Sequence, residues 1–464
     1  MNKIVAPLSA LILLAGCAVG PNYKKPVASL PATYRGLTPE EATKTPSASI
    51  GDQKWWDIFQ DEQLRSLIRT ALQQNYDLRI AASRVLQAQA QLGITRSDQF
   101  PSVGAGAGIS DNRSAKSKFL PGFEEGTGHV NLSAAWEFDF WGKYRRATEA
   151  ARANLLASES ARQEVVVTLV ADVSRAYFQL RALDLELEIS KRTLASRQES
   201  LRLTSLLADR GSTSMLDVRQ AEQLVYTAGA EIPALEQQIE QQENFISILL
   251  GKNPDVVPRG QKLTEQPHPP EVPAGLTSSL LERRPDIREA EQQLIAANAG
   301  IGVARAAYFP QISLSGSGGF QTAALTNLFS GPSGTWNFGA AVTQPIFTAG
   351  RIRSNVRLAE AQQQSALLFY QQTIQGAFRS VSDALIAYRK TREFRSQEEL
   401  LFQSAQDSAR LSHLRYSGGV TGYLEVLTNE TNAFSAELGV VQAQLNELLA
   451  LVQLYEALGG GWQE

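Results

Sequence analysis

The stretch RIRSNVRLAEAQQQSALLFYQQTIQGAFRSVSDALIAYRKTREFRSQEELLFQSAQDSARLSHLRY, residues 351–416, contains no proline and one glycine, Gly376. Its apolar residues step by three and four: Ile352, Val356, Ala359, Ala366, Tyr370, Ile374, Ala377, Val381, Ala384 and Tyr388, with Gln363 in the same stripe. That period is helical, and at about 1.5 Å per residue the helix would be roughly 100 Å long, far beyond the few turns of an ordinary globular helix. A second stretch, Lys143 to Arg210, has neither glycine nor proline and predicts a second rod of equal length. No compact domain of this size needs two such rods.

Ahead of each rod the hydrophobic period changes from helical to alternating. From Ser102 to Ile109, Val103, Ala105, Ala107 and Ile109 alternate with Ser and Gly. After a polar loop, Val130, Leu132, Ala134, Trp136, Phe138 and Phe140 share one face, opposite His129, Asn131, Ser133, Glu137 and Asp139. Trp136, Phe138, Phe140 and Trp141 cluster where this strand ends, as in the aromatic girdles of membrane barrels. The same alternation returns in Ile312, Leu314 and Phe320, and again in Trp336, Phe338, Ala340 and Val342.

The landmarks repeat in one register. Asp286-Ile287-Arg288-Glu289-Ala290 echoes Asp77-Leu78-Arg79-Ile80-Ala81, Phe309-Pro310 echoes Phe100-Pro101, Gly350 matches Gly142, and Gly419 matches Gly211. Leu424-Glu425-Val426 likewise matches Leu216-Asp217-Val218. This is an internal duplication. The first repeat, 61–275, reads as a helix from Asp61 to Gln99, a hairpin over 101–141, the long helix 143–210 and a return helix 215–250 disturbed at Gly229 and Pro233. A proline-rich linker over 252–275 ends it. The second repeat, 276–464, reads as a helix, a hairpin over 310–347, the long helix 351–416, a return helix 422–458 and a C-terminal tail.

The amino terminus sets the compartment. Lys3 followed by the apolar run Ile4 to Leu14 predicts a signal peptide over 1–16, too short for a spanning helix of about 20 residues. Leu14-Ala15-Gly16-Cys17 resembles a bacterial lipobox, which implies lipidation of Cys17, and Ala18 resembles the outer-membrane sorting pattern. Residues 17–60 would then form a lipidated tail. Cys17 is the only cysteine, so no intrachain disulfide is expected. No later stretch is apolar enough for a transmembrane helix, so any crossing of a membrane must use strands. A net charge of -3 argues against nucleic acid as a partner.

One chain thus offers four membrane-type strands, and four cannot close. Bacterial single-chain barrels begin at about eight strands, and an open edge in lipid strands its backbone polar groups. Several identical chains must share a barrel, and three copies give twelve strands. The shorter helices total roughly 75 residues against roughly 66 in one rod, so two stacked end to end match each rod in length. The fold class is therefore mainly α with a small β part.

The segment Cys17-Ala18-Val19-Gly20-Pro21-Asn22-Tyr23-Lys24-Lys25-Pro26, the pair Trp55-Trp56 followed by Phe59 and Asp61, and Tyr455 with Leu458-Gly459-Gly460-Gly461-Trp462 carry a specific resemblance. With the duplicated plan, they resemble the outer membrane factor (TolC-like) family, lipoprotein (OprM/NodT-type) branch. The resemblance covers essentially the whole chain. It implies a homotrimeric channel-tunnel, a 12-stranded outer-membrane barrel continued by a 12-column periplasmic helical barrel. It also implies a periplasmic adaptor and an inner-membrane resistance-nodulation-division transporter as partners, and attachment to outer-membrane lipid through N-terminal acyl groups. The implied function is passive export of small molecules such as antibiotics. A protein-secretion exit duct has the same fold, and a periplasmic coiled-coil scaffold is a reading from a different class.

Catalytic constellations are missing. His129, His268 and His413 are dispersed, no phosphate-binding glycine loop occurs, and Met215 is the only methionine after the initiator. No enzyme activity, metal or cofactor is expected. The family closes its periplasmic tip with acidic and apolar rings at the helix ends beside the turns. Alignment on the tip-turn glycines Gly211 and Gly419 carries that gate role to Leu216 and Asp217, and to Tyr416, Leu424 and Glu425. In this reading Tyr416 donates its hydroxyl to Asp217. Thr421 and Thr428 depart from the family pattern, where an arginine and an acid are found, which weakens the ionic part of the lock. A plainer role for Asp217 and Glu425 is to complement the dipoles of the helices they open.

Overall fold

Two helices of 67 residues, Lys143–Asp209 and Arg351–Ser417, dominate the chain. The stripe read from the second is buried at Tyr370, Ile374, Ala377, Val381, Ala384 and Tyr388 and only half-buried at Gln363 and Ala366. The computed structural model describes residues 18–27, 31, 33–35, 49–116, 118, 119, 122–267, 279–323 and 325–462. The signal peptide, Cys17, His268, Pro269, Pro270 and Pro273 lie outside the described residues.

In chain order the main elements are α1 (Glu62–Gln74), α2 (Tyr76–Ser97), β1 (Ser102–Arg113), β2 (Glu124–Phe138), α3 (Lys143–Asp209) and α4 (Met215–Leu249). Then follow α5 (Pro285–Ala306), β3 (Gln311–Thr322), β4 (Gly334–Thr343), α6 (Arg351–Ser417) and α7 (Tyr423–Ala457). Among the described residues no helix is long and apolar enough to cross a membrane. The chain divides into two compact units, one of residues 1–27, 84–158 and 289–371, the other of 28–83, 159–288 and 372–464.

The single helix expected from Asp61 to Gln99 is in fact two. Asn75 leaves the helical region (φ -57°, ψ 133°), and its side chain works in both directions. Its Nδ2 donates to the Leu249 carbonyl at 3.0 Å, and its Oδ1 accepts from the Leu78 amide at 3.0 Å, capping α2. The second repeat breaks its helix at the equivalent place: Arg284 donates to the Ala457 carbonyl at 2.8 Å just before Pro285 opens α5. A short polar side chain that caps a new helix outcompetes continuation of the old one. At Pro233 the local disturbance does not end the helix, and α4 runs through it. The ring of a helical proline presses on the carbonyl four residues back, here that of Gly229, whose backbone has the freedom to yield.

The first unit holds the sheet, four antiparallel strands in the order β1-β2-β3-β4. Pairing aligns Val103 with Ala134, Ala105 with Leu132, Trp136 with Leu314, and Leu314 with Ala340. One face is therefore continuously apolar, and it is exposed: Val103, Leu132, Trp336, Phe338 and Val342 are all open to the surroundings. The opposite face carries Ser133, Ser313, Ser315, Ser317, Asn131 and Asn337. Gly319, paired with Asn131, lies on this face, and it is glycine there because a Cβ would lie 2.1 Å from the Val130 carbonyl oxygen. β1 and β4 each pair on one side only. The aromatic residues at the strand ends tie the sheet to its neighbours. Trp136 Nε1 donates to the Gln99 carbonyl, Trp141 Nε1 to that of Pro310, and the Trp141 ring stacks on Phe309 at 4.6 Å.

Residues 18–27 form a strap in the same unit. The Val19 amide donates to the Trp141 carbonyl, Asn298 to that of Pro21, and Arg146 to the Asn22 side chain. Tyr23 and Lys25 both donate to the Glu291 carboxylate, at 3.1 and 2.8 Å. The strap reaches α5 because Gly20, at φ +105°, lies against Gly302, so close that a Cβ on Gly20 would fall 2.5 Å from the Gly302 Cα. Gly302→Val is expected to displace the strap at a cost of about 1–3 kcal/mol, the range for overpacking. Faster tryptic cleavage after Lys24 would report it, since the Lys25–Pro26 bond resists trypsin, and unchanged cleavage would refute it.

Candidate functional site

Each long helix ends in the same turn. The Gly211 amide donates to the Ala208 carbonyl and the Ser212 amide to that of Leu207; Gly419 and Val420 repeat this with Tyr416 and Arg415, all at 2.8–2.9 Å. These paired bonds require a left-handed residue, and Gly211 (φ 72°) and Gly419 (φ 69°) supply it. The tip turns are thus one device used twice, in a single unit of the fold.

The acidic residues follow at once. Ser214 caps α4 in a capping box, the Asp217 amide donating to Ser214 Oγ at 3.3 Å and the Ser214 amide to Asp217 Oδ2 at 3.4 Å. Thr213 Oγ1 also donates to Asp217 Oδ2. Gly422 opens α7 without a side-chain cap, and there Thr421 Oγ1 donates to Glu425 Oε2 at 2.5 Å. Thr421, read from the sequence as the loss of an arginine tie, occupies the place of Thr213 and does its work. The cation comes from elsewhere: Arg415 Nε lies 3.6 Å from Glu425 Oε1, on a half-exposed pair. Thr428 spends its hydroxyl on the Leu424 carbonyl of its own helix.

The direct bond expected between Tyr416 and Asp217 is replaced by a relay. The Tyr416 hydroxyl is 3.5 Å from Thr213 Oγ1, and Thr213 binds the carboxylate. Tyr416 is held there by its ring, which meets Tyr423 edge-on at 5.3 Å and packs on a buried cluster of Ala221, Tyr423 and Val426. Thr213 is not among the gate residues read from the sequence. Its correspondence to Thr421, two places after each turn glycine, was the available signal. Leu216 is 65% exposed and Leu424 60%, apolar side chains beside acidic ones with nothing from their own chain over them. Among the described residues no three His, Cys, Asp or Glu side chains form a metal site.

The outer membrane efflux protein family matches the chain twice, over residues 67–252 and 276–460, once on each repeat. The solvent efflux pump outer membrane protein SrpC of Pseudomonas putida is 37% identical over 473 residues, with 98% of both chains covered. The probable outer membrane lipoprotein SilC of Salmonella typhimurium is 35% identical over 458 residues, again with 98% of both covered. The open state of the MtrE outer membrane channel of Neisseria gonorrhoeae matches with a TM-score of 0.86 and 32% identity, over 96% of this chain and 99% of that one. Duplicated helices, a four-stranded sheet with an apolar outer face and similarity along the whole chain place this protein in the outer membrane efflux protein family, as an outer-membrane channel of the channel-tunnel fold.

Proposed function

We propose that three copies of the chain build one exit channel for small amphiphilic molecules, closed at the turns after α3 and α6 and opened by partner proteins. The observation that carries this reading is the sheet: four strands with an exposed apolar face and an unpaired edge at each end. In lipid such edges are costly, and pairing β1 of one copy with β4 of the next satisfies them in a closed ring. Three copies bring twelve strands, with the Ser- and Asn-rich faces lining the lumen. The helical columns then extend the lumen into the periplasm, where an adaptor protein and an inner-membrane resistance-nodulation-division transporter would engage it. The relatives' names cover solvent, antibiotic and cation efflux, and of these the solvent and antibiotic classes are the amphiphilic ones proposed here. Acyl chains on Cys17 would add an anchor beside the barrel.

Light scattering in mild detergent should give a protein mass of three chains, and planar bilayers containing that species should show discrete channels. A stable monomer without channel activity would overturn the reading. Loss of the gene together with an adjacent pump should raise susceptibility to solvents and lipophilic antibiotics.

A further inference from the structure

Behind the turns lies a buried polar chamber that the gate does not use. Tyr423 and Glu430 are seven residues apart on α7 and so share a face, which Phe434 continues one turn on. From α3, Arg197 enters this face, 3% exposed, with Nη1 donating to the Leu224 carbonyl of α4 at 3.1 Å and its guanidinium 5.1 Å from the Phe434 ring centre. From α6, His413 Nε2 lies 2.5 Å from Glu430 Oε1. Three buried side-chain atoms here have no hydrogen-bond partner: Arg197 Nε, Tyr423 Oη and Glu430 Oε2. A donor, a hydroxyl and an acceptor are complementary, and a buried polar group left unpaired is costly. The chamber is therefore poised for another arrangement, in which Glu430 turns to Arg197 directly or through an ordered water.

The two candidate partners of Glu430 differ in what they hold together. His413 sits on α6, the other leg of the same helical hairpin as α7, whereas Arg197 sits on α3, in the first hairpin. We propose that His413 and Arg197 compete for the Glu430 carboxylate, so that protonation of His413 loosens the second hairpin from the first and eases opening of the channel tip. The charged or titratable groups that act on this chamber are His413, Arg197, Glu430 and Tyr423, with Tyr416 and Asp217 bearing on Tyr423. The hydrogen bond to Glu430 raises the His413 pKa against the opposing effect of burial, while burial lowers that of Arg197 despite the attraction of Glu430. His413 thus holds its proton more tightly in this arrangement than when free. Acid stabilises the arrangement with Arg197 released, and that contribution is lost as pH rises through the raised His413 value.

The proposal rests on the gate reading above, and the test separates the two. In planar bilayers the open fraction of the intact trimer is expected to be about three- to tenfold larger at about pH 5.5 than at about pH 8, the interval across which a histidine titrates. His413→Gln should abolish the difference, and His413→Lys should hold the open fraction high at both pH values. His413 is half-exposed, so neither change threatens folding. A flat response in the wild type, a response of opposite sign, or one that survives in His413→Gln would overturn the proposal. Asp217→Ala measured alongside tells which reading failed. If it raises conductance while pH has no effect, the gate stands and the competition falls; if neither matters, the gate itself is misplaced.

Discussion

An Asp61→Ala protein is expected to lose most of the proposed three-chain species and about 3–5 kcal/mol of stability, from several buried donors orphaned at about 1–3 kcal/mol each. Asp61 is 1% exposed and caps α1, accepting the amides of Gln63 at 2.8 Å and Leu64 at 3.2 Å. Its other oxygen accepts from the Tyr177 hydroxyl at 2.8 Å, the Gln261 amide at 2.9 Å and Gln266 Nε2 at 2.9 Å. One carboxylate therefore joins the start of α1, the middle of α3 and the linker after α4. Gly260 is part of the same knot, because a Cβ there would lie 2.2 Å from Asp61 Oδ1. Burial and the neighbouring carboxylate raise the Tyr177 phenol above its ordinary pKa, so it remains a donor throughout the physiological range. Glu62→Ala is the control, since its pairs with Arg65 and Arg69 are solvent-exposed. Equal trimer yield and equal denaturation midpoints for the two variants would show that the knot carries no special weight.

The second large effect concerns the tip. Thr213→Val is expected to raise the open fraction about tenfold or more, because a hydrogen bond to a carboxylate contributes about 1.5–3 kcal/mol and 1.36 kcal/mol is tenfold. Asp217→Ala should do at least as much, since it also removes the capping box. Asp217→Asn keeps an acceptor for Thr213 and should change ion selectivity more than opening. Tyr416→Phe should act least of the four, its hydroxyl lying 3.5 Å from Thr213, at the limit of a hydrogen bond. Single-channel recordings decide the order. A Tyr416→Phe effect exceeding that of Thr213→Val would restore a direct Tyr416–Asp217 latch and remove the relay.

Much of this was legible along the chain. The rods, the alternating strands and the duplication rest on period, and period is a local property that needs no partner to be read. The break at Asn75 was missed because the apolar pattern continues across it; what ends α1 is a side chain bonding to a carbonyl 174 residues away. Pro233 is legible as a lost backbone donor but not as a break, and α4 continues through it. At the tip the turn glycines match by repeat, and the role expected of the acids came from the family resemblance aligned on them. The identity of each acid's partner depends on which hydroxyl the folded turn brings within reach.

Two strands and one very long helix, repeated once to give four strands and two rods, are readable along the chain, since strand count and helix length follow from periodicity and counting. Which polar side chains meet is set by the folded chain. Thr213 stands between Tyr416 and Asp217, Thr421 serves Glu425, and Arg197 and His413 face the same carboxylate from different helices. The physical reason is one of range: backbone periodicity is set within a few residues, whereas a hydrogen bond acts over about 3 Å between side chains that the fold alone brings together.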